Sequence, residues 1–228
     1  MDVLFEELND IYKLRDDYIW DSQINTDKFK QHRCQPKGSD NIFLKLSTNV
    51  KASLYSVIEN VLNFTYRAKW DTVLFDFETF ESTKTVTNED WSYTRLYYCF
   101  KSPYGVSDRD FYLQQHVRQD FPEPGMTSIY VNSIPASEEK PVNKKRVRAT
   151  IHKIGYIIKP FTCPKTGDQH CEIFMINLVD INGLVPKWIV NLASKNVARE
   201  WFVEYEKNCI KYDKNSGIQA KLQADNRV

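Results

Sequence analysis

Arg67 and Asp71 are the residues whose types and spacing say most about chemistry. Four positions apart on a helix, a guanidinium and a carboxylate share one face and can pair. On a surface such a pair contributes under about 1 kcal/mol. Enclosed, it would hold a permanently charged fork of donors, the side chain best matched to a phosphate or carboxylate. No arrangement of comparable weight points to catalysis. His32, His116, His152 and His170 are scattered, and no Ser or Cys stands with them in a triad motif. The chain has no phosphate-binding glycine loop, dinucleotide fingerprint or His-Glu-x-x-His helix. Cys163, His170 and Cys171 lie close together, but their spacing is not a zinc spacing and no second ligand pair accompanies them. A hairpin turn through Pro164, Lys165, Thr166 and Gly167 accounts for that segment. The expectation is a protein with no catalytic residues, no metal and no cofactor. Lys140, Lys144, Lys145, Arg146 and Arg148 form a local basic cluster, read as a solvated loop and strand start, with docking to anionic headgroups as the alternative.

Composition limits the class further. The chain has 228 residues, which suits one hydrophobic core, and the expected domain is residues 1–213, with a polar disordered tail over 214–228. Its 13 Phe, 13 Tyr and 5 Trp are enough large side chains both to fill a core and to line a cavity. A net charge of +1 removes the electrostatic argument for nucleic acid, since phosphate-binding domains carry a clear basic excess. Met1 to Asp10 has no signal-peptide core, and no stretch approaches the roughly 20 apolar residues of a membrane span. Five irregularly spaced cysteines fit reduced thiols. A cytoplasmic protein is expected, although a longer precursor could carry an address.

The elements that must position Arg67 and Asp71 follow from periodicity. Residues 3–19 carry Leu4, Leu8, Ile11 and Tyr12 at helical spacing, and Ala52 to Leu62 puts Leu54, Val57, Ile58 and Val61 on one stripe. Strands are predicted over Phe29–Cys34 and Ile42–Thr48, then through Val73, Phe75 and Phe77, Trp91–Phe100, Phe111–Val117, Ser128–Ile134, Val147–Ile158 and Cys171–Val179. Short connections make the sheet antiparallel. The run Ile173, Phe174, Met175, Ile176 is apolar on both faces, so the sheet must be covered on one side and wrap something on the other. Pro186 opens a long helix, Trp188 to Tyr212, whose broad apolar face needs the concave side of the sheet as its partner. The fold class is α+β.

Four strings then carry a resemblance: Tyr66-Arg67-Ala68-Lys69-Trp70-Asp71; Ser107-Asp108-Arg109-Asp110-Phe111; Val147-Arg148 leading to Gly155-Tyr156 and Pro160; and Asp180 through Trp188. In order and spacing they resemble the START domains, a lipid-transfer family, over about Trp20 to Tyr212. The resemblance implies a helix-grip fold, in which a curved antiparallel sheet and a C-terminal roof helix enclose one lipid. It assigns Lys101 to Asp108, with Pro103, Tyr104 and Gly105, to a lid loop beside the roof helix. In phosphatidylcholine-carrying members, the Arg and Asp matching Arg67 and Asp71 lie in the cavity and the Arg binds the lipid phosphate. Ceramide carriers have Glu at the second position and sterol carriers lack the string, so Asp71 favours a glycerophospholipid; ceramide, sterol and a lipid-sensing role are the alternatives. The choline cage maps onto Tyr98, Phe100, Phe111, His152 and Leu178, of which His152 and Leu178 depart from the aromatic pattern, and Val61 stands where those carriers have Tyr. Trp188 and Leu192 complete the expected lipid wall from the roof helix. A monomer is expected, holding phospholipid as cargo and touching membranes transiently.

Overall fold

The computed structural model describes residues 2–84, 91–102, 105–184 and 198–225. Helix α1 (Asp2–Tyr12) precedes strands β1 (Asp21–Asn25), β2 (Phe29–Cys34) and β3 (Phe43–Val50). Helices α2 (Leu54–Leu62) and α3 (Phe64–Arg67) follow. Then come β4 (Leu74–Lys84), β5 (Trp91–Phe100), β6 (Arg109–Gln119), β7 (Thr127–Ser133), β8 (Val147–Arg148), β9 (Thr150–Thr162) and β10 (Gln169–Asp180). Helices α4 (Ala198–Ser216) and α5 (Ile218–Asp225) end the described chain. One sheet runs in the order β1-β2-β3-β10-β9-β7-β6-β5-β4, antiparallel throughout except where β8 pairs parallel with β6.

Strand alternation distributes the apolar residues between two covered faces. From β10, Cys171, Ile173 and Met175 join the inner core, and Phe174 and Ile176 the outer one. The inner core includes Leu46, Leu113, Ile129, Tyr156 and Ile158 under Val57 and Val61 of α2 and Phe202, Tyr205 and Cys209 of α4. On the outer face α1 buries Phe5, Leu8 and Ile11 against Phe43, Tyr130 and Ile157. A close approach makes this possible. A Cβ at Gly155 would stand 2.6 Å from Leu8 Cδ1, so glycine lets α1 settle onto β9.

The far end of α4 is fixed to α2. Asp213 accepts hydrogen bonds from Ser53 N (2.8 Å), Ser53 Oγ (2.6 Å) and Ser56 Oγ, while Ser53 caps α2 by accepting from Ser56 N. Two turns earlier on that face, Tyr205 donates to the carbonyl of Val57.

Several expectations need correction. Helix α1 ends at Tyr12, not residue 19, because Leu14 adopts φ 57° and Tyr18 and Trp20 leave the helix to pack on the Phe43 ring. Val73 and Phe75 do not share an inward face with Phe77: Leu74 is buried and Val73 and Phe75 are exposed. A bulge between Leu74 and Asp76 changes the phase, after which Phe77 turns inward against Phe64. Residues 214–225 are helical instead of disordered. Gln219 donates to Asp213 and to the Gln169 carbonyl, and Gln223 donates to Asp168, so polar side chains anchor a segment whose Ile218 and Leu222 are only half-buried. Strand β1 was not predicted; its Asp-Ser-Gln-Ile-Asn sequence pairs only along one edge. The first part of the expected roof helix, with Trp188 and Leu192, lies outside the described residues.

Replacing Gly155 by Ala should destabilise the fold by about 1–3 kcal/mol through overpacking against Leu8. Adding Leu8→Ala should cost less than the sum of the two single changes, read from urea unfolding of the four proteins. A second expectation concerns acid. His116 is 1% exposed beside the Tyr93 ring, and burial pushes its imidazole down to about 4 from the ordinary 6.5. The unfolded chain therefore binds more protons between those values, and stability falls as pH drops from about 6.5 toward 4. Urea midpoints across that window should depend less on pH in His116→Gln than in the parent.

Candidate functional site

The short helix α3 sets the geometry of the charged pair. Asn63 caps it, its side chain accepting from Tyr66 N at 3.0 Å. The turn continues past the helix, with Asp71 N donating to the Arg67 carbonyl at 2.9 Å. Arg67 and Asp71 are thus one turn apart, and Arg67 Nε donates to Asp71 Oδ2 at 2.8 Å. The side chains are 13% and 3% exposed, which removes the surface-pair reading. Asp71 Oδ2 also accepts from Trp201 Nε1 of α4 at 3.1 Å. The guanidinium carbon lies 5.3 Å from the ring centroid of Trp201, 5.5 Å from that of Phe64 and 5.7 Å from that of Phe100. Because the pair is made through Nε, the donors on the two terminal nitrogens are not used by it.

These groups border a cavity of about 310 Å³ between the inner face of the sheet and α4. Its wall is mostly apolar, with Leu44, Leu46, Val61, Leu96, Leu113 and Met175 from the sheet and α2, and Ala198, Trp201 and Phe202 from α4. Tyr98 and Tyr156 bring two hydroxyls into it. Burial pushes both phenols up, partly offset by the Arg67 charge, so they remain hydrogen-bond donors at neutral pH. Larger depressions lie elsewhere, of about 630 Å³ on the outer face near Lys45 and about 1130 Å³ along α1, but neither encloses a buried ion pair.

The expected lipid-binding residues divide clearly. Arg67, Asp71, Tyr98 and Phe100 line the cavity together. Phe111 is buried behind that wall, its ring centroid 5.0 Å from Tyr98 and 5.7 Å from Phe100. His152 and Leu178 are not at the cavity. Opposite strands pair Leu178 with Lys153 and Val179 with Ile151, so His152 is the unmatched residue of a bulge and is exposed. Leu178 packs with the outer core on the α1 side. Asn177, one position earlier, lines the cavity instead, as does Gln115. The alternation was readable for both: Asn177 is in phase with Met175, and Gln115 with Leu113 and Val117. Trp201, on the apolar face of the roof helix, also reaches the ion pair through its bond to the Asp71 carboxylate.

The lid loop is seen at its base. Pro103 and Tyr104 lie outside the described residues, while Gly105 adopts φ 83°. Ser102 N donates to Asp108 Oδ1 at 2.9 Å. The guanidinium of Arg109 donates to the carbonyls of Ile181 (3.0 Å), Asn182 (2.9 Å) and Ser107, joining the loop to the turn at 181–183. In the basic cluster, Lys140 pairs with Glu78, Arg146 with Asp76 and Arg148 with the fully buried Asp110. Three of its five cations therefore brace the sheet. Cys171 is buried in the inner core and Cys163 lies in the β9–β10 turn, where Gly167 N donates to the Cys163 carbonyl.

The START domain family model matches residues 20–214. START domain-containing protein 10 from Mus musculus and from Homo sapiens are each 31% identical over 160 residues, 70% of this chain and 49% of theirs. The chain thus spans about half the length of those curated relatives. Phosphatidylcholine transfer protein from Bos taurus is 24% identical over 155 residues, 67% of this chain and 66% of that protein. Among solved structures, human STARD10 is similar with a TM-score of 0.73 at 21% identity, covering 95% of this chain and 82% of that one. Human StAR-related lipid transfer protein 5 gives 0.75 at 16% identity, covering 92% and 95%. At those identities the structural likeness shows the fold.

Replacing Asp71 by Leu would leave an enclosed guanidinium without its carboxylate, and should destabilise the protein by about 3–5 kcal/mol. Removing both charges, Arg67→Leu with Asp71→Leu, should restore most of that loss. Denaturant unfolding of the single and double variants measures the coupling, and a loss below about 1 kcal/mol in Asp71→Leu would contradict the buried pair.

Proposed function

The chain belongs to the START domain family, and on that premise we propose that it carries one glycerophospholipid, phosphatidylcholine-like, between membranes in the cavity under α4. The observation that carries this reading is the Arg67 guanidinium, held by Asp71 on the wall of a mostly apolar cavity. A fixed cation with unused planar donors meets a phosphate, and the leucine-rich remainder of the wall meets acyl chains. The name of the bovine relative, Phosphatidylcholine transfer protein, supports the same class of cargo. A sterol, with a single hydroxyl, would leave such a guanidinium poorly matched.

On this reading the lipid is cargo, and the protein neither alters it nor needs a cofactor. Tyr98, Phe100 and Trp201 surround the headgroup end, with Phe111 supporting them from behind. Pro103, Tyr104, Trp188 and Leu192 would complete the lid and roof. Loading requires α4 to part from the sheet, since Ala198, Trp201 and Phe202 close the cavity. A monomer meeting the membrane surface transiently suffices for this work. Among the described residues no helix is long and apolar enough to cross a membrane. A cytoplasmic location with peripheral membrane contact is part of the same proposal.

Arg67→Leu should lower phospholipid loading by about 10- to 100-fold, the worth of hydrogen bonds to a charged group. Mass spectrometry of the bound lipid and transfer between donor and acceptor vesicles measure it, with circular dichroism showing that the variant is folded. Loading and transfer at the parent level would overturn the assignment.

A further inference from the structure

A carboxamide interrupts the apolar inner row of β6, and nothing within the described residues answers it. Leu113 and Val117 belong to the inner core; Gln115 stands between them, 7% exposed, and borders the cavity. Across the sheet it lies opposite Thr94 on β5 and Val131 on β7. Among the described residues its side chain has no hydrogen-bond partner. The neighbouring amide on the other face is satisfied: Gln114 donates to Asn132 at 3.1 Å. An amide that faces the cavity with no partner from the protein adds nothing to the packing, and leucine would fit this apolar row better. The partner that makes glutamine worth keeping is then the occupant of the cavity.

We infer that Gln115 is a linkage-reading subsite, donating its amide N–H to an acyl-ester carbonyl oxygen of the bound lipid. The inference rests on the carrier reading above and adds a specificity to it. The charged headgroup is provided for by Arg67, and the hydrocarbon chains offer no acceptor. Between them a diacyl lipid presents ester carbonyls, which are good acceptors along the carbonyl plane. A dialkyl lipid of the same headgroup and chain length has ether oxygens there and no carbonyl. Gln115 therefore separates lipids by how their chains are joined to glycerol, a property that neither Arg67 nor an apolar wall can read.

The test loads the full chain from vesicles containing equal amounts of diacyl and dialkyl phosphatidylcholine of matched chain length, and counts bound lipid by mass spectrometry. The parent should enrich the diacyl form about tenfold, the discrimination expected when a buried amide is matched or left unmatched. Gln115→Leu should bring diacyl loading down to the dialkyl level while its melting temperature holds or rises. That opposite movement is one a merely structural glutamine would not produce. Gln115→Met serves as a second near-isosteric variant. Equal loading of the two lipids by the parent, or enrichment retained in the variants, overturns the inference. Diacylglycerol and dialkylglycerol are compared in the same way, since they lack phosphate. If Arg67→Leu loads phospholipid normally, the phosphate reading falls, while the ester-to-ether ratio still decides Gln115.

Discussion

A guanidinium almost out of water requires a counter-charge, and the single carboxylate of Asp71 supplies it to two elements at once. It pairs with Arg67 one turn earlier and accepts the indole N–H of Trp201 from α4. The requirement fixes more than two side chains. The α3 turn must run on past Arg67, α4 must lie where Trp201 can reach, and the sheet must curve enough to hold Tyr98 and Tyr156 alongside. Surrounding rings of Phe64, Phe100 and Trp201 keep the charge in place without neutralising it. A charged end is thereby built into a cavity whose other walls are mostly hydrocarbon.

Two covered faces explain why the sheet can be apolar nearly throughout. Helix α1 seals the outside through Leu8 over Gly155, while α2 and α4 cover the inside. The charged groups left at the rim are used to join strands and loops. Arg148 neutralises the fully buried Asp110, Arg146 reaches Asp76 on β4, and Arg109 ties loop to turn through three carbonyls. What looks in the sequence like a basic patch is, for three of its residues, internal bracing.

Much of this was legible before any coordinates. Strand-period runs marked β2, β3, β5, β6, β7, β9 and β10, and the four-residue interval marked the ion pair, because burial imposes those periods directly. Bulges defeated the finer reading. One at Phe75 reversed which side of β4 faces inward, and one at His152 put that member of the inferred cage at the surface; Leu178 faces outward by plain alternation from Met175, which turns Asn177 to the cavity. An extra residue in one strand changes no composition and leaves no mark in a window of hydropathy. Edge strand β1 and helix α5 escaped for another reason: β1 offers only Ile24 to the core and α5 is anchored by glutamine hydrogen bonds, so neither shows an apolar period.

The attachment of α4 has a mechanical meaning. Its C-terminal end is fastened by Asp213 to the start of α2 and continues into α5, whereas Ala198, Trp201 and Phe202 near the other end form part of the cavity roof. The helix is in effect a lever with its pivot at Asp213. From there to Ala198 the helix runs about 22 Å at helical rise, so a tilt of about 15° about that point would move Ala198 through about 6 Å. Such a rotation keeps the fastening at Ser53 and needs no helical turn to unwind, but it must release the Tyr205 bond to the Val57 carbonyl and the Glu206 bonds to Lys28 and Lys51 N. Along the arm, Trp201 stands nearer the moving end, so its bond to Asp71 acts as a catch, and the same carboxylate that steadies the charged end of the cavity also keeps the lever down.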